Sequence, residues 1–421
     1  MRPFKVLLFI AAVMAILGTL YWAFPDGKVW DTKHSEYSEF AEYSANSDTI
    51  AEFPVFTDTI DTIIPETPKP VIPKISVDST TDSRVFLRSF YASLAEADTR
   101  VVRVLHYGDS QIEEDRMTMS IREKLQSRFG GKGVGLMPLA QTIPTLTVKQ
   151  ELHMNGRFVN PQQGPRRFLV YSFKRDQRAD GLYGPMGQMS MMNDSLVSGS
   201  EDIMAVCHPI QTSALYERWR VFADSSVHYT THGDTVQLHG RGGVYGLSQE
   251  SRTGVIVDNI PMRGCIGLVF TKMDSAQLAT FYREQNVQLI ILQFGGNAIP
   301  FNQNPSTISA IVTGLRQQVR YLQQCAPEAS ILFVGPSDML TQVEGEWTTY
   351  PMVPYMDKLL RKMALEENIA YFSLYRWMGG AGSMIHWQEI GLAGSDGVHF
   401  TRSGARKAGN AIGEWILNGM D

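Results

Sequence analysis

The chain is 421 residues long, 43% of them hydrophobic, and it carries a formal net charge of −5. This length leaves room for two domains, and the slightly acidic balance gives no broad basic surface, which argues against nucleic acid as a partner. The three cysteines, Cys207, Cys265 and Cys325, are odd in number and far apart, so they form neither a metal-ligand cluster nor a disulfide framework, although a single disulfide stays possible. We therefore expect no metal and no cofactor.

The N-terminal segment has the features of a membrane anchor. Val6–Phe24 is an uncharged, almost wholly apolar run that follows Arg2 and Lys5. At about 1.5 Å per residue this run just spans a bilayer core of roughly 30 Å. A cleaved signal peptide is the alternative, but its apolar core would be about 7–15 residues long and would end in small residues. We expect residues 1–27 to be an uncleaved, single-pass anchor in the cell membrane, with the following chain on the extracytoplasmic, periplasmic side.

A segment of different composition follows the apolar run. It is rich in Ser, Thr, Pro, Asp and Glu, and its prolines at Pro65, Pro68, Pro70 and Pro73 break any regular element. Such a composition cannot bury enough apolar surface to fold by itself. The sequence predicts a disordered acidic linker over residues 28–82.

The folded part opens with a strand, a turn and a helix. Val101–Leu105 is a short β-branched run that predicts a buried strand. Apolar residues at four-residue steps from Met117 to Phe129 then predict a helix. Ser110 therefore lies at a strand-to-helix turn.

The region between Gly130 and Gly254 has no sustained helical period. Short strand-like runs occur at Phe168–Phe173, Trp219–Phe222 and Val236–Leu238, separated by glycine and by Asp, Asn and Ser clusters. Because the α/β pattern resumes at Val255, this region is an insertion. We assign residues 83–140 and 253–421 to one α/β domain and residues 141–252 to an inserted β-rich module, for which carbohydrate binding is one interpretation.

The second half alternates between strands and helices. Strands are predicted at Val287–Leu292, Ile331–Val334 and Ile369–Leu374, and helices at Ile308–Leu322, Met356–Leu365 and Ser403–Leu417. Such alternation is typical of a parallel sheet covered by helices on both faces. Ligands of these sheets bind outside the carboxyl ends of the strands.

Three residues have the types that nucleophilic catalysis requires. A serine hydroxyl is a weak nucleophile unless a base takes its proton, and a third group must orient that base. Asp396 and His399 are three residues apart on one short loop, so the carboxylate can bind one imidazole nitrogen while the other faces Ser110. Each of these pieces alone is a weak signal.

Taken together, these motifs resemble those of the SGNH/GDSL hydrolases. Gly108-Asp109-Ser110 at the first strand-to-helix turn and Asp396-x-x-His399 near the C-terminus carry the resemblance, and two blocks support it in the right order, Val257–Gly264 and Phe294–Asn297. The resemblance covers roughly residues 85–130 and 255–421. It implies a flavodoxin-like three-layer α/β/α sandwich with Ser110 as nucleophile and Asp396 and His399 completing a catalytic triad.

The same resemblance implies an oxyanion hole formed by the backbone amides of Ser110 and Gly264 and by the Asn297 side chain. The sequence departs from the family pattern at two positions. Gln111 replaces the usual leucine, a change that we expect not to touch the chemistry, and Ala298 replaces an aspartate that is not a triad member in the family. No substrate-binding residues can be assigned.

The predicted anchor and the inserted module suggest a substrate class. Within the family, peptidoglycan O-acetylesterases are similar in having a β-rich module inserted after the serine block. We therefore expect a serine esterase that removes O-acetyl groups from a cell-envelope glycan such as peptidoglycan, with the acetylated glycan and the membrane as its partners. Two alternatives stay open: a glycan O-acetyltransferase that uses the same acyl-serine, and a glycan-binding protein without catalytic activity.

Overall fold

The structure is a computed structural model, which describes residues 82–420 except 140, 142, 155, 160–173, 176–181, 184–202, 211–214, 224, 226, 241–243 and 303. The predicted anchor, the predicted linker up to residue 81 and the predicted run Phe168–Phe173 lie outside the described residues. Within the described part of the chain, no helix combines the length and apolar character needed to cross a bilayer.

The strands in chain order are β1 Val101–Gly108, β2 Gly135–Met137, β3 Val148–Met154, β4 Arg157–Val159, β5 Lys174–Arg175, β6 Leu182–Tyr183, β7 Ile203–Pro209, β8 Arg218–Ala223, β9 Val227–His232, β10 Thr235–Gly240, β11 Val244–Glu250, β12 Gly254–Pro261, β13 Val287–Gln293, β14 Ser330–Val334, β15 Leu340–Val343, β16 Glu346–Thr349 and β17 Ala370–Phe372. The α-helices are α1 Arg88–Leu94, α2 Thr118–Phe129, α3 Ser275–Glu284, α4 Pro305–Cys325, α5 Met352–Glu366, α6 Leu374–Met378, α7 Ser383–Glu389 and α8 Arg402–Leu417. Short 3-10 helices occur at Ser83–Leu87, Ser110–Asp115, Phe270–Lys272 and Gly296–Ala298.

The centre of the molecule is a five-stranded sheet in the order β12-β1-β13-β14-β17. All of its strand pairs are parallel. Numbered along the chain, the strands run 2-1-3-4-5, which is the flavodoxin-like order. The predicted parallel sheet is therefore confirmed.

Helices cover both faces of this sheet. On β13, Leu289 and Ile291 pack into one apolar core with α1, α2 and α8, whereas Ile290 and Leu292 face a second core with α3, α4 and α5. Successive side chains of a strand point to opposite faces, so an uninterrupted apolar run is the pattern of a strand buried on both sides. The result is a three-layer α/β/α sandwich.

One predicted strand is shorter than expected. The sequence predicted a strand over Ile369–Leu374, but β17 ends at Phe372. The Ser373 side chain accepts a hydrogen bond from the backbone N–H of Arg376 and caps α6. A serine at the N-cap satisfies one of the free amides of a helix start, and this local bond ends the strand.

The region between β1 and β12 folds into antiparallel sheets. One sheet has the order β4-β3-β7-β10-β9 and another the order β2-β11-β8. Both contribute to a third apolar core, in which Leu152, Cys207, Val236 and Leu247 are fully buried or nearly so. Strand β2 precedes residue 141, the predicted start of the module, but it pairs with β11 at the module's other end.

A buried ion network joins the inserted module to the central sheet. Arg103 on β1 is wholly buried and binds Asp258 on β12 through two contacts of 2.9 Å, and it also pairs with Glu250 at the end of β11. Arg218 on β8 reaches the other Glu250 oxygen at 2.7 Å. Burial tends to raise the pKa of Glu250, but the nearby Arg103 and Arg220 outweigh this effect and lower that pKa. Glu250 is therefore held as a carboxylate.

Candidate active site

Ser110 lies directly after β1, at the carboxyl edge of the central sheet. The sheet order reverses between β1 and β13, and ligands of open α/β sheets bind at such a reversal. Asp109 caps the short 3-10 helix that starts at Ser110 by accepting the backbone N–H of Gln111 at 2.9 Å. The local turn thus holds the serine at the point where the fold favours a site.

Ser110, His399 and Asp396 meet in one hydrogen-bonded chain. Ser110 Oγ lies 2.9 Å from His399 Nε2, and His399 Nδ1 lies 2.7 Å from Asp396 Oδ2. With the imidazole proton on Nδ1, the ring donates to Asp396 and its Nε2 accepts the serine hydroxyl. The structure therefore brings together the three residues that the sequence predicted as a triad.

Backbone N–H groups of the loop that carries His399 hold the Asp396 carboxylate in place. Asp396 Oδ1 accepts the backbone N–H groups of Val398 and His399, each at 2.9 Å. Burial alone would raise the pKa of Asp396, but the hydrogen bonds from His399 and Val398 lower it below its usual value. Asp396 is therefore ionised at neutral pH and can stabilise a positively charged imidazole.

This part of the site is open to solvent. The His399 side chain is 40% exposed and the Asp396 side chain 52% exposed. Water can therefore reach the imidazole without any movement of the protein.

The structure places two of the three predicted oxyanion donors at the same cleft. Ser110 and Asn297 line one cleft, whereas Gly264 is not among the residues that line it. The Asn297 side-chain amide donates to Asp109 Oδ2 at 3.1 Å and to the Cys265 carbonyl at 3.3 Å. Both of its N–H groups thus have protein acceptors, so donation to a substrate oxygen requires Asn297 to release or share one of these bonds.

The cleft beside Ser110 has largely apolar walls. Phe294, Pro300, Pro336, Met339 and Val398 line it together with Phe301, which is 73% exposed. An exposed aromatic ring at the rim of a cleft offers a flat apolar surface to a ligand.

The structure places the Gln111 side chain against the loop that carries His399, a contact that the sequence did not predict. We expected this residue to stay clear of the chemistry, but its side chain hydrogen-bonds to the backbone on both sides of His399. Arg116, which sequence reasoning missed, binds the carbonyl oxygens of Ser110 and Gln111. The departure from the family's leucine at position 111 was the one sequence signal that could have revealed this contact.

Within the described residues, no group of three or more His, Cys, Asp or Glu side chains is arranged to hold a metal ion. All three cysteines are free, with Cys207 and Cys325 buried and Cys265 partly buried.

The parallel sheet, its strand order and the serine at its carboxyl edge match the SGNH hydrolase fold. Neither a family model nor a curated protein matches the sequence. A solved structure described as "Peptidoglycan O-acetylesterase in action, 5 min" is similar, with a TM-score of 0.58 and 18% identity over 81% of this chain and 97% of that chain. This coverage exceeds the α/β part alone, so the similarity in fold extends into the inserted module.

Two further solved structures match over a smaller share of the chain. The periplasmic domain of a lipopolysaccharide acetyltransferase from Salmonella ser. Paratyphi A has a TM-score of 0.29 and 13% identity, over 39% of this chain and 74% of that chain. Axe2, an acetylxylan esterase from Geobacillus stearothermophilus, has a TM-score of 0.25 and 15% identity, over 40% of this chain and 73% of that chain.

Proposed function

We propose that the protein is a serine esterase in which Ser110 is the nucleophile, His399 the general base and Asp396 the group that orients the base. The observation that carries the proposal is the unbroken chain of contacts, 2.9 Å from Ser110 Oγ to His399 Nε2 and 2.7 Å from His399 Nδ1 to Asp396 Oδ2. This arrangement activates a hydroxyl that would otherwise be a weak nucleophile.

The proposed reaction proceeds through an acyl-enzyme. His399 takes the hydroxyl proton as Ser110 Oγ attacks the ester carbonyl, and then donates that proton to the departing alcohol. The backbone amide of Ser110 would bind the developing oxyanion, and the Asn297 side chain would join it by releasing Asp109 or the Cys265 carbonyl. Gly264, the third predicted donor, does not line the cleft. Loss of one such donor costs about 3–4 kcal/mol in other enzymes. A water molecule activated by His399 then releases the acid and restores Ser110.

We further propose that the substrate is an O-acetylated glycan of the cell envelope, such as peptidoglycan. Two observations support this class: the inserted β-rich module, and the similarity in fold to a protein described as a peptidoglycan O-acetylesterase over 81% of the chain. The apolar Val6–Phe24 run after Arg2 and Lys5 supports an anchored, periplasmic placement in which the α/β domain reaches this substrate.

The exposure of the site favours hydrolysis over acetyl transfer. An acetyltransferase must keep water away from its acyl-serine until a sugar hydroxyl arrives. The His399 side chain is 40% exposed, so water has direct access to the base. We therefore infer that water is the second substrate.

Replacing the nucleophile tests this proposal. Ser110→Ala removes the attacking oxygen, and we expect kcat/KM to fall at least about a thousandfold, as in other serine enzymes that lose a triad member. The measurements are turnover of an aryl acetate and release of acetate from O-acetylated peptidoglycan. Ser127→Ala is the matched control, because the Ser127 hydroxyl is exposed on α2 and binds only the Lys124 carbonyl in the described structure.

Three outcomes would contradict parts of the proposal. Activity of Ser110→Ala within tenfold of the wild type would reject Ser110 as the nucleophile. Hydrolysis of aryl acetates without acetate release from any acetylated glycan would reject the substrate class. Glycan binding without turnover would favour the non-catalytic alternative.

A further inference from the structure

The catalytic arrangement depends on two chain segments that are remote in sequence. Ser110 and His399 are separated by 289 positions, and their contact is 2.9 Å long. The His399 side chain is 40% exposed, and its ring nitrogens contact Ser110 and Asp396. The Ser110–His399 distance therefore also depends on where the backbone of the His399 loop lies relative to the turn that carries Ser110.

The Gln111 side chain provides such a restraint. Its Nε2 donates to the Val398 carbonyl at 2.7 Å, and its Oε1 accepts the backbone N–H of Phe400 at 3.4 Å. Val398 and Phe400 are the residues immediately before and after His399. The Gln111 side chain is buried, at 9% exposure for the whole residue, so solvent competes little for these two bonds.

Arg116 extends the same contact. Its Nε donates to the Gln111 carbonyl at 3.0 Å, its Nη2 to the Ser110 carbonyl, and its Nη1 to the Phe400 carbonyl at 3.4 Å. The backbone of the nucleophile turn is therefore bound to the backbone of the histidine loop by two side chains of that turn. A leucine at position 111 has neither the donor nor the acceptor that this contact uses.

We propose that Gln111 is a positioning residue that sets the distance and orientation of the His399 imidazole relative to Ser110 Oγ. This inference rests on the proposed esterase function. Gln111 also lines the cleft, but the amide nitrogen and oxygen of its side chain are both bound to the histidine loop, so it acts through the backbone of that loop. Misplacement of a catalytic group by about 1 Å costs on the order of a hundredfold in rate, so the loss of two flanking restraints has a measurable effect on kcat.

Gln111→Met tests the proposal, because methionine has a similar length and volume but makes neither hydrogen bond. We expect kcat on an aryl acetate to fall about ten- to a hundredfold while KM stays within about threefold. The matched control is Gln323→Met: the Gln323 amide is partly buried near the C-terminal end of α4, donates to the Glu367 carbonyl at 2.9 Å, and does not line the cleft. The control should lose a similar amount of thermal stability and keep its kcat.

A second measurement does not depend on turnover. The proton shared by His399 Nδ1 and Asp396 should give a low-field proton resonance in NMR spectra, assigned by its loss in His399→Ala. We expect this resonance to broaden or vanish in Gln111→Met and to persist in Gln323→Met. An unchanged resonance and a kcat within threefold of the wild type would overturn the positioning role, whereas a wild-type protein that shows the resonance but hydrolyses no ester would overturn the proposed function alone.

Discussion

The fold raises the pKa of Asp109, the residue immediately before the nucleophile. This residue is 5% exposed, and burial raises the pKa of its carboxyl from 3.8 to about 6. The hydrogen bond from the backbone N–H of Gln111 and the charges of His399 and Arg116 lower this pKa, whereas the charge of Glu113 adds to the rise. Because Asp109 Oδ2 also accepts the Asn297 amide, its charge state bears on a predicted oxyanion donor.

The raised pKa of Asp109 predicts a pH-dependent stability. Well below pH 3.8 the carboxyl is protonated in both the folded and the unfolded chain. Between 3.8 and about 6 the unfolded chain loses the proton first, so the free energy of unfolding falls with rising pH. A shift of this size corresponds to about 3 kcal/mol, at about 1.4 kcal/mol for each pKa unit.

Asp109→Asn removes this titration. We therefore expect the stability of Asp109→Asn relative to the wild type to rise by up to about 3 kcal/mol between pH 4 and pH 7. Urea unfolding at a series of pH values measures the difference. A difference that is constant across that range would show that Asp109 keeps an ordinary pKa in the folded protein.

For single residues, the sequence predicted which side chains carry the chemistry better than it predicted their hydrogen-bond partners. Ser110, Asp396 and His399 could be proposed because each carries a distinct chemistry and lies at a strand end or on a short loop. The roles of Gln111 and Arg116 depend on which backbone atoms the tertiary fold brings near them. Hydrogen bonds between the first turn and a loop 289 positions later leave no periodic pattern in the sequence.

Helix α8 carries the triad loop at its start and packs closely on α2. Thr401, two residues after His399, caps α8 by accepting the backbone N–H of Gly404. Gly409 in the middle of α8 lies against the Met117 carbonyl, and a Cβ at this position would collide with that oxygen. Because the collision would be with a backbone oxygen, no flexible side chain can move aside to relieve it.

Gly409→Ala should therefore destabilise the protein, although alanine is the better helix former by about 1 kcal/mol. We expect a net loss of about 1–3 kcal/mol from overpacking, measured as the free energy of unfolding in urea. Gly314→Ala in α4 is the matched control, because a Cβ there meets only the Leu268 side chain, at 3.0 Å. The control should be neutral or stabilising; equal losses in the two variants would contradict the packing explanation.

Across the whole molecule, the sequence predicted the architecture well and the inserted region incompletely. Long apolar runs such as Val287–Leu292 predict buried parallel strands because both faces of the sheet are covered. Short strands such as β2 are harder to predict, since three residues give no period and the strand exists only by pairing with β11. Arg103, an interruption in the first apolar run, proved to be the buried centre of an ion network.

That network connects the inserted module to the central sheet and gives a prediction for the whole fold. Arg103→Met leaves the carboxylates of Asp258 and Glu250 buried without their shared cation. We expect a loss of about 3–5 kcal/mol in the free energy of unfolding. Arg320→Met is the control, because Arg320 also makes a two-bond contact with a carboxylate, Glu367, but its side chain is 59% exposed.

The control variant should lose no more than about 1 kcal/mol, since exposed ion pairs contribute little. Urea unfolding of both variants measures the comparison. If Arg103→Met lost no more than about 1 kcal/mol, as the control should, the module and the sheet would have to be held together by other contacts.

The distance in sequence between Ser110 and His399 also matters during synthesis. A ribosome makes the nucleophile first and the base 289 codons later, after all five strands of the central sheet and the whole module between them. On the proposed mechanism, a nascent chain that has not yet reached position 399 has no group to activate its serine. Ester cleavage would thus begin only after translation has passed position 399 and the His399 loop has closed onto the turn that carries Ser110.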